Sequence, residues 1–467
     1  MDKKHRDWII TIVVGVVIWF MPVPEGLKPE AWKMFALFAA TIIGFILQPI
    51  PMGALAILSL ATAGFLNLAK LGELLTGFAN STVWLIVAAF MLSRGFVKTG
   101  LGRRVAYMLI ERFGKSTLTL GYAIMFSEFF FCPATPSSAA RGGAIIFPIV
   151  RSLASAFDSE PGPTAKRIGA YLMQVAFQSN CMSGALFLTA MVANPLCATF
   201  AQQAFGIQIT WAGWAMAALI PGTLCMLAIP LVMYYINTPE VKSTPEAKEL
   251  AQKELEKLGP MTRDEKVMSG IFVLCIVLWA TSQYTGLNAT LVALGGAAVL
   301  LATQAITWND VLEEKGAWDT MVWIAVLVTF AGLLSKYGFI GWISKNIGAY
   351  LVGIPWMTTL IVVLLVHCYS HYLFASLSAH TTAMYPALIA VAAASGAPPM
   401  LVAISMGCIN NFCACLTHYG NGVAPIYFGT GYMSQGTWWK LGFMMSVVYL
   451  AIWIGIGFPW WKVIGLW

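Results

Sequence analysis

Two hydrophobic hairpins in this chain break at their tips into short polar runs rich in Pro, Ser and Thr, one over 133–141 and the other over 375–382. A helix interrupted at membrane depth leaves backbone N–H and C=O groups without partners. Hydrocarbon tolerates that only where the break faces protein, a cavity, an ion or a substrate. Corresponding breaks in two halves of a chain point to a binding site near the bilayer midplane. The constraint bites only inside a membrane, and composition puts the chain there: of 467 residues, 59% are hydrophobic and 10% charged. Apolar runs able to cross about 30 Å of hydrocarbon recur from end to end.

The pattern predicts an all-α polytopic membrane protein with about eleven transmembrane crossings at 8–22, 32–49, 52–68, 82–97, 165–203 (broken), 212–236, 267–283, 288–304, 319–336, 397–419 (broken) and 438–460, plus the two re-entrant hairpins. The first span follows Lys3, Lys4 and Arg6 without a small-residue cleavage site, so it is read as a retained helix rather than a signal peptide. Those three bases, with Arg94, Lys98, Arg103 and Arg104 after the fourth span and the lysines after the sixth, predict a cytosolic N-terminus and an external C-terminus. The polar stretch 238–266 reads as a cytosolic linker carrying an amphipathic helix over 245–257. The cysteines lie in or beside apolar spans without metal-ligand spacing, which favours core packing over disulfides or metal ligands.

The two halves echo each other. Residues 1–237 hold an N-terminal helix and a first repeat with its hairpin at 116–157; residues 267–467 hold a second repeat with its hairpin at 356–395. Thr82-Val83-Trp84 in a span leading to Gly100-Leu101-Gly102 is matched by Met321-Val322-Trp323 leading to Gly338-Phe339-Ile340-Gly341. An odd number of crossings separates corresponding spans, so the repeats are expected to be inverted, the arrangement that underlies alternating access.

At the first tip, prolines end one arm and Ser137 and Ser138 start the next, so free amides from about Ser138 to Gly142 are expected in the break, where anions bind. Gly142 and Gly143 would permit close approach there. Ser376, Ser378, His380 and Thr381 repeat the construction at the second tip. No Asp or Glu follows Asp319, and none lies between Glu160 and Glu240, so the core lacks the carboxylates of a cation or proton relay. Arg141 is the expected anion anchor through its bidentate fork, with His380 as its counterpart. Glu128, in the first arm, is expected to pair with a base or with polar backbone. His367 and His371 lie one turn apart, and packing or interfacial roles are favoured over a metal pair.

Pro136-Ser-Ser-Ala-Ala-Arg-Gly-Gly143, Gly121-Tyr-Ala-Ile-Met-Phe-Ser-Glu128, Phe374-Ala-Ser-Leu-Ser-Ala-His-Thr381 and Gly100-Leu-Gly-Arg-Arg104 resemble the divalent anion/sodium symporter family, in its citrate/succinate, tartrate/succinate and 2-oxoglutarate/malate antiporter branch. The resemblance covers essentially the whole chain. It implies a homodimer in the plasma membrane, a fixed scaffold (spans 1–4 and 7–9), a transport domain (the hairpins and spans 5, 6, 10 and 11) that moves as an elevator, and small carboxylate anions as substrates. It also implies substrate contacts at Thr189 and Asn194 in the fifth span and Thr417 in the tenth. The family's Ser-Asn-Thr signature is here Ser137-Ser138-Ala139 and Ser376-Leu377-Ser378. Both asparagines suited to a hard cation are gone, so no cofactor is expected and sodium is disfavoured, and exchange of C4 to C6 di- or tricarboxylates is favoured over sodium-coupled symport. A membrane enzyme using His367, His371 and His380 with a metal is disfavoured by the missing carboxylate ligands; no enzymatic activity, metal or nucleic-acid partner is expected.

Overall fold

The computed structural model describes residues 2–351 and 353–467. Every named element is helical, and the single β-bridge among the described residues joins Ser116 to Ser243. Among those residues, nine helices are long and apolar enough to cross a membrane, three of them hairpin arms. Helices such as Lys3–Phe20 and Arg263–Ala280 present bare Ile12, Val13, Val17, Val273 and Val277 on their outer faces. Such stripes suit lipid.

The long spans form where apolar sequence is uninterrupted, and their starts are set by capping. Asn80, Ser116, Thr210, Thr262, Asn288 and Ser434 each accept from a backbone N–H of the helix they open, satisfying amides that would otherwise be unpartnered. The same order of element types occurs twice. Ser81–Thr99 ends at Gly100 and Lys315–Lys336 runs on to Gly338, both glycines left-handed (φ 79° and 87°), and each opens a shorter helix, Leu101–Phe113 or Phe339–Tyr350. A hairpin follows (Thr117–Phe131 with Phe147–Ala156; Trp356–Ser370 with Leu377–Ala394), then a broken helix and a final span. The first broken helix stops at Ser183 and resumes at Ala193; the second, Pro399–Phe412, passes into a 3-10 turn at Cys413–Leu416.

Residues 139–146 wind as a π-helix. Extra residues per turn widen the backbone there, and Gly142 lets the turn press against Asn180 and Val423, which a β-carbon would meet at 2.7 and 3.0 Å. A β-carbon on Gly143 would likewise meet Ile426 at 2.8 Å, so both glycines admit close packing of protein on protein.

The linker helix, Pro245–Leu258, lies where the charge pattern places it. The extended stretch before it has no counterpart in the sequence reading. It clasps the base of the first hairpin through Thr117 N to Lys242 O and Thr244 N to Lys115 O, each 3.0 Å, and pairs on its other side with Lys166 and Arg167. Beyond the helix, Arg104 donates to the carbonyl of Gly259 at 2.8 Å and forks onto Glu265 at 2.7 and 3.0 Å, both side chains buried. Burial pushes the Glu265 carboxyl up, but bonds from Arg104 and the Thr262 cap outweigh it and hold it below the usual glutamate range. A carboxyl held low stabilises the fold above its unfolded value, and that contribution is lost as pH falls through the folded one.

Arg104→Met leaves a buried carboxylate without its partner and should cost about 3–5 kcal/mol, read as a lower melting temperature of detergent-purified protein. Arg104→Met with Glu265→Leu should recover much of that loss. The wild-type advantage over Glu265→Gln should persist at neutral pH and shrink below about pH 4.

Candidate functional site

The tips and breaks converge in the interior. Arg141, fully buried, donates every one of its N–H bonds to protein: Nε to Glu128 Oε2 at 2.7 Å, Nη1 to the carbonyls of Thr135 and Ala190 at 2.6 and 3.1 Å, and Nη2 to Asn180 O and Ser183 Oγ at 3.3 and 3.1 Å. A guanidinium has five such donors. The bidentate fork expected to face an anion is therefore already filled. In this conformation Arg141 ties arm, tip and first broken helix together, and Glu128, equally buried, neutralises it.

That ion pair dictates the next layer. A carboxylate only accepts, so Glu128 turns the Asn180 Nδ2 toward itself (3.2 Å to both oxygens), leaving Asn180 Oδ1 without a partner. A second amide relay joins the two breaks. Asn194 Nδ2 donates to the carbonyls of Gly184 and Phe187 at 2.7 and 2.8 Å, so its Oδ1 accepts from Asn411 Nδ2 at 2.6 Å, and Asn411 Oδ1 is left unpartnered.

At the second tip, Ser376 caps the helix that carries His380. The Asn410 amide bridges His367 Nε2 (3.1 Å) and Thr381 Oγ1 (3.0 Å). His380 stacks on His367 with ring centres 4.6 Å apart, and His371 stands edge-on to it at 4.8 Å. All three imidazoles are fully buried, and each Nδ1 lacks a partner.

The expected residues therefore divide. Thr189 and Asn194 are committed to protein: Thr189 donates to the Pro133 carbonyl and accepts from Trp211 at 2.8 Å, and both ends of Asn194 are used. Ser137 caps the turn at Ala140 N. Ser138 is buried, with its carbonyl held by Asn180, and Ser378 is half-buried. Thr417 is buried with a free hydroxyl, as are Thr135 and Ser179. His367 and His371 pack against His380 at the second tip. Ser179, Asn180, Asn410 and Asn411 went unread in the sequence, although polar residues in the middle of apolar spans are the signal that marks them.

A buried polar atom without a partner costs about 1–3 kcal/mol, and such atoms are rare enough to call for an explanation. Nine such atoms lie in the tips, breaks and adjoining turns: hydroxyls of Thr135, Ser179 and Thr417, oxygens of Asn180 and Asn411, one end of the Asn410 amide, and three imidazole nitrogens; others, such as Ser93 Oγ and Trp453 Nε1, are scattered through the spans. These atoms hold unused donor and acceptor capacity within the interior.

Glu128→Gln would strand the Arg141 cation in the interior and should cost about 3–5 kcal/mol. Arg141→Lys should do little better, since one ammonium cannot span the carbonyls of Thr135, Ala190 and Asn180. Pairing Glu128→Gln with Arg141→Met should restore part of the melting temperature, a coupling that a double-mutant cycle measures.

The profile of the sodium:sulfate symporter transmembrane region matches residues 2–467. YflS of Bacillus subtilis (strain 168), named as a malate transporter, is 47% identical over 460 residues, covering 98% of this chain and 96% of its own. Dicarboxylate transporter 1, chloroplastic, of Spinacia oleracea is 43% identical over 465 residues, covering 99% of this chain and 82% of its own. The crystal structure of the Alcanivorax borkumensis YdaH transporter superposes with a TM-score of 0.59 at 14% identity, covering 98% of each chain, a likeness of fold. With one profile spanning nearly every residue and relatives this similar over their length, the chain belongs to the sodium:sulfate symporter transmembrane family, the divalent anion/sodium symporters.

Proposed function

We propose that this protein moves dicarboxylates across the plasma membrane by exchange, one carboxylate for another. The single observation that carries the reading is the collection of unpartnered buried polar groups at the tips and breaks, above all the hydroxyls of Thr135, Ser179 and Thr417 and the Asn410 amide, all able to donate to an anion. A dicarboxylate carries an acceptor group at each end, which suits donors contributed by two tips. Succinate, malate, 2-oxoglutarate, tartrate and citrate are the candidates. Ser137, Ser138, Ser376, Ser378 and Thr381 frame the site, His380 faces it from the second tip, and Arg141 holds the first tip in shape. Relatives named for malate and dicarboxylate transport support the substrate class.

Acidic residues are missing from the second half after Asp319 and from the first between Glu160 and Glu240, so a dianion meets no like charge there apart from Glu128, which Arg141 offsets. The tips lack the amide side chains of a hard-cation site, which supports coupling to a counter-substrate rather than to sodium. In this reading the hairpins and spans 5, 6, 10 and 11 travel as one body past a scaffold of spans 1–4 and 7–9 in each protomer of a homodimer. The N-terminus lies in the cytosol and the C-terminus outside.

A second reading, sodium-coupled symport on the same fold, is favoured by one detail: Asn180 Oδ1 and Asn411 Oδ1 are unpartnered acceptors, and hard cations take oxygen ligands. Proteoliposomes separate the two. Labelled succinate or malate should enter only vesicles preloaded with a carboxylate, and replacing sodium by choline should leave the rate unchanged. Sodium-driven uptake into empty vesicles would establish symport instead. Thr417→Val should weaken succinate binding about tenfold, the effect of one lost hydrogen bond to a charged group, as read by displacement of labelled substrate.

A further inference from the structure

The histidine cluster at the second tip has an orientation that substrate contact alone does not require. His371 Nε2 lies 2.8 Å from the carbonyl of Gly420. A carbonyl cannot donate, so Nε2 carries the hydrogen and Nδ1 presents a bare lone pair. His380 reaches the same state by another route. Its Nε2 lies 2.9 Å from Ser370 Oγ, whose hydrogen goes to the carbonyl of His367 at 3.1 Å, so His380 Nε2 donates and its Nδ1 is also bare. Neither Nδ1 has a partner, and both rings are fully buried. A ring with one nitrogen donating to a carbonyl or hydroxyl and the other held open is how ligating histidines are fixed in metal sites.

A third soft ligand stands beside them. Cys413, at the start of the 3-10 turn that breaks the second broken helix, lies with His371 and His380 so that one ligand atom of each falls within 4.8 Å of the others. No other group of three His, Cys, Asp or Glu side chains among the described residues comes so close. We propose that His371, His380 and Cys413 bind one zinc-class divalent cation. Two imidazoles and a thiolate select a borderline-soft ion over magnesium or calcium. Bonds of about 2.0–2.3 Å at tetrahedral angles want ligand atoms roughly 3.3–3.8 Å apart, so from separations of at most 4.8 Å the cluster closes by no more than about 1.5 Å on loading. The Cys413 thiol, which now donates to Asn410 O at 2.8 Å, gives its proton to solvent as the Sγ–metal bond forms. The fourth position is left to water or an anion.

The three ligands come from three elements: the 3-10 turn closing the hairpin arm, the tip helix Leu377–Ala394 and the break at Cys413–Leu416. A bound ion therefore staples the second hairpin to the second broken helix. Binding does not depend on what is transported, so it is tested on the purified chain without substrate. Chelator-washed wild-type protein titrated with Cd2+ should develop a thiolate-to-metal charge-transfer band that saturates at one ion per chain, and its melting temperature should rise. Cys413→Ser should abolish the band although the other cysteines remain. His371→Gln should weaken binding at least about tenfold, while His418→Gln, whose ring is engaged by Trp439, should bind like wild type. A wild-type protein with no saturable one-to-one band overturns the proposal. So does a band that survives unchanged in Cys413→Ser.

Discussion

Hydrocarbon offers a peptide group no hydrogen bond, and this chain interrupts its helices inside hydrocarbon at two hairpin tips and two breaks. The freed backbone groups must be repaid from within. At the first tip one side chain does most of that work: Arg141 supplies donors to the carbonyls of Thr135, Asn180 and Ala190, drawn from the tip and from both edges of the first break. A cation so placed needs an anion. Glu128 supplies it, and the pair, though it contributes little as a charge–charge bond after desolvation, fixes which way the neighbouring asparagine turns.

The second half solves the same problem without a permanent charge. His371 donates to Gly420 O and Tyr419 donates to Tyr372 O, so break and hairpin arm hold each other through neutral groups. The halves meet at the bond between Asn194 and Asn411, a side-chain contact that spans the two broken helices. Repetition of the fold therefore conceals two different electrostatic designs, one closed by an ion pair and the other by an imidazole and amide network.

The spans, the hairpins and the linker helix were legible because each depends on local pattern: uninterrupted apolar runs, prolines and hydroxyls at the tips, alternating charge at 245–258. The pairing of Glu128 with a base was legible too, since a lone carboxylate in an apolar arm demands one. That the base is Arg141 is not legible, because an arginine at a helix break fits an anion anchor equally well. Thirteen positions of sequence separate the two, and the chain reverses at the tip between them before Arg141 returns to the arm within the π-helical turn at 139–146. The protein partners of Thr189 and Asn194 are not legible for a related reason. Which polar side chain meets backbone and which stays free depends on the path of the break, and a motif does not encode that path.

The linker has a mechanical consequence. Its helix, Pro245–Leu258, is a rod about 21 Å long at 1.5 Å per residue. One end is pinned to the base of the first hairpin by the stretch bonded to Lys115 and Thr117. The other is pinned by Arg104 at Gly259, whose φ of 63° marks a bend in the chain. Between these clasps the rod lies along Leu101–Phe113, the helix that carries Arg104, with Gln252 donating to Glu111. The linker acts as a splint, fixing the base of the first hairpin and that helix at a set spacing.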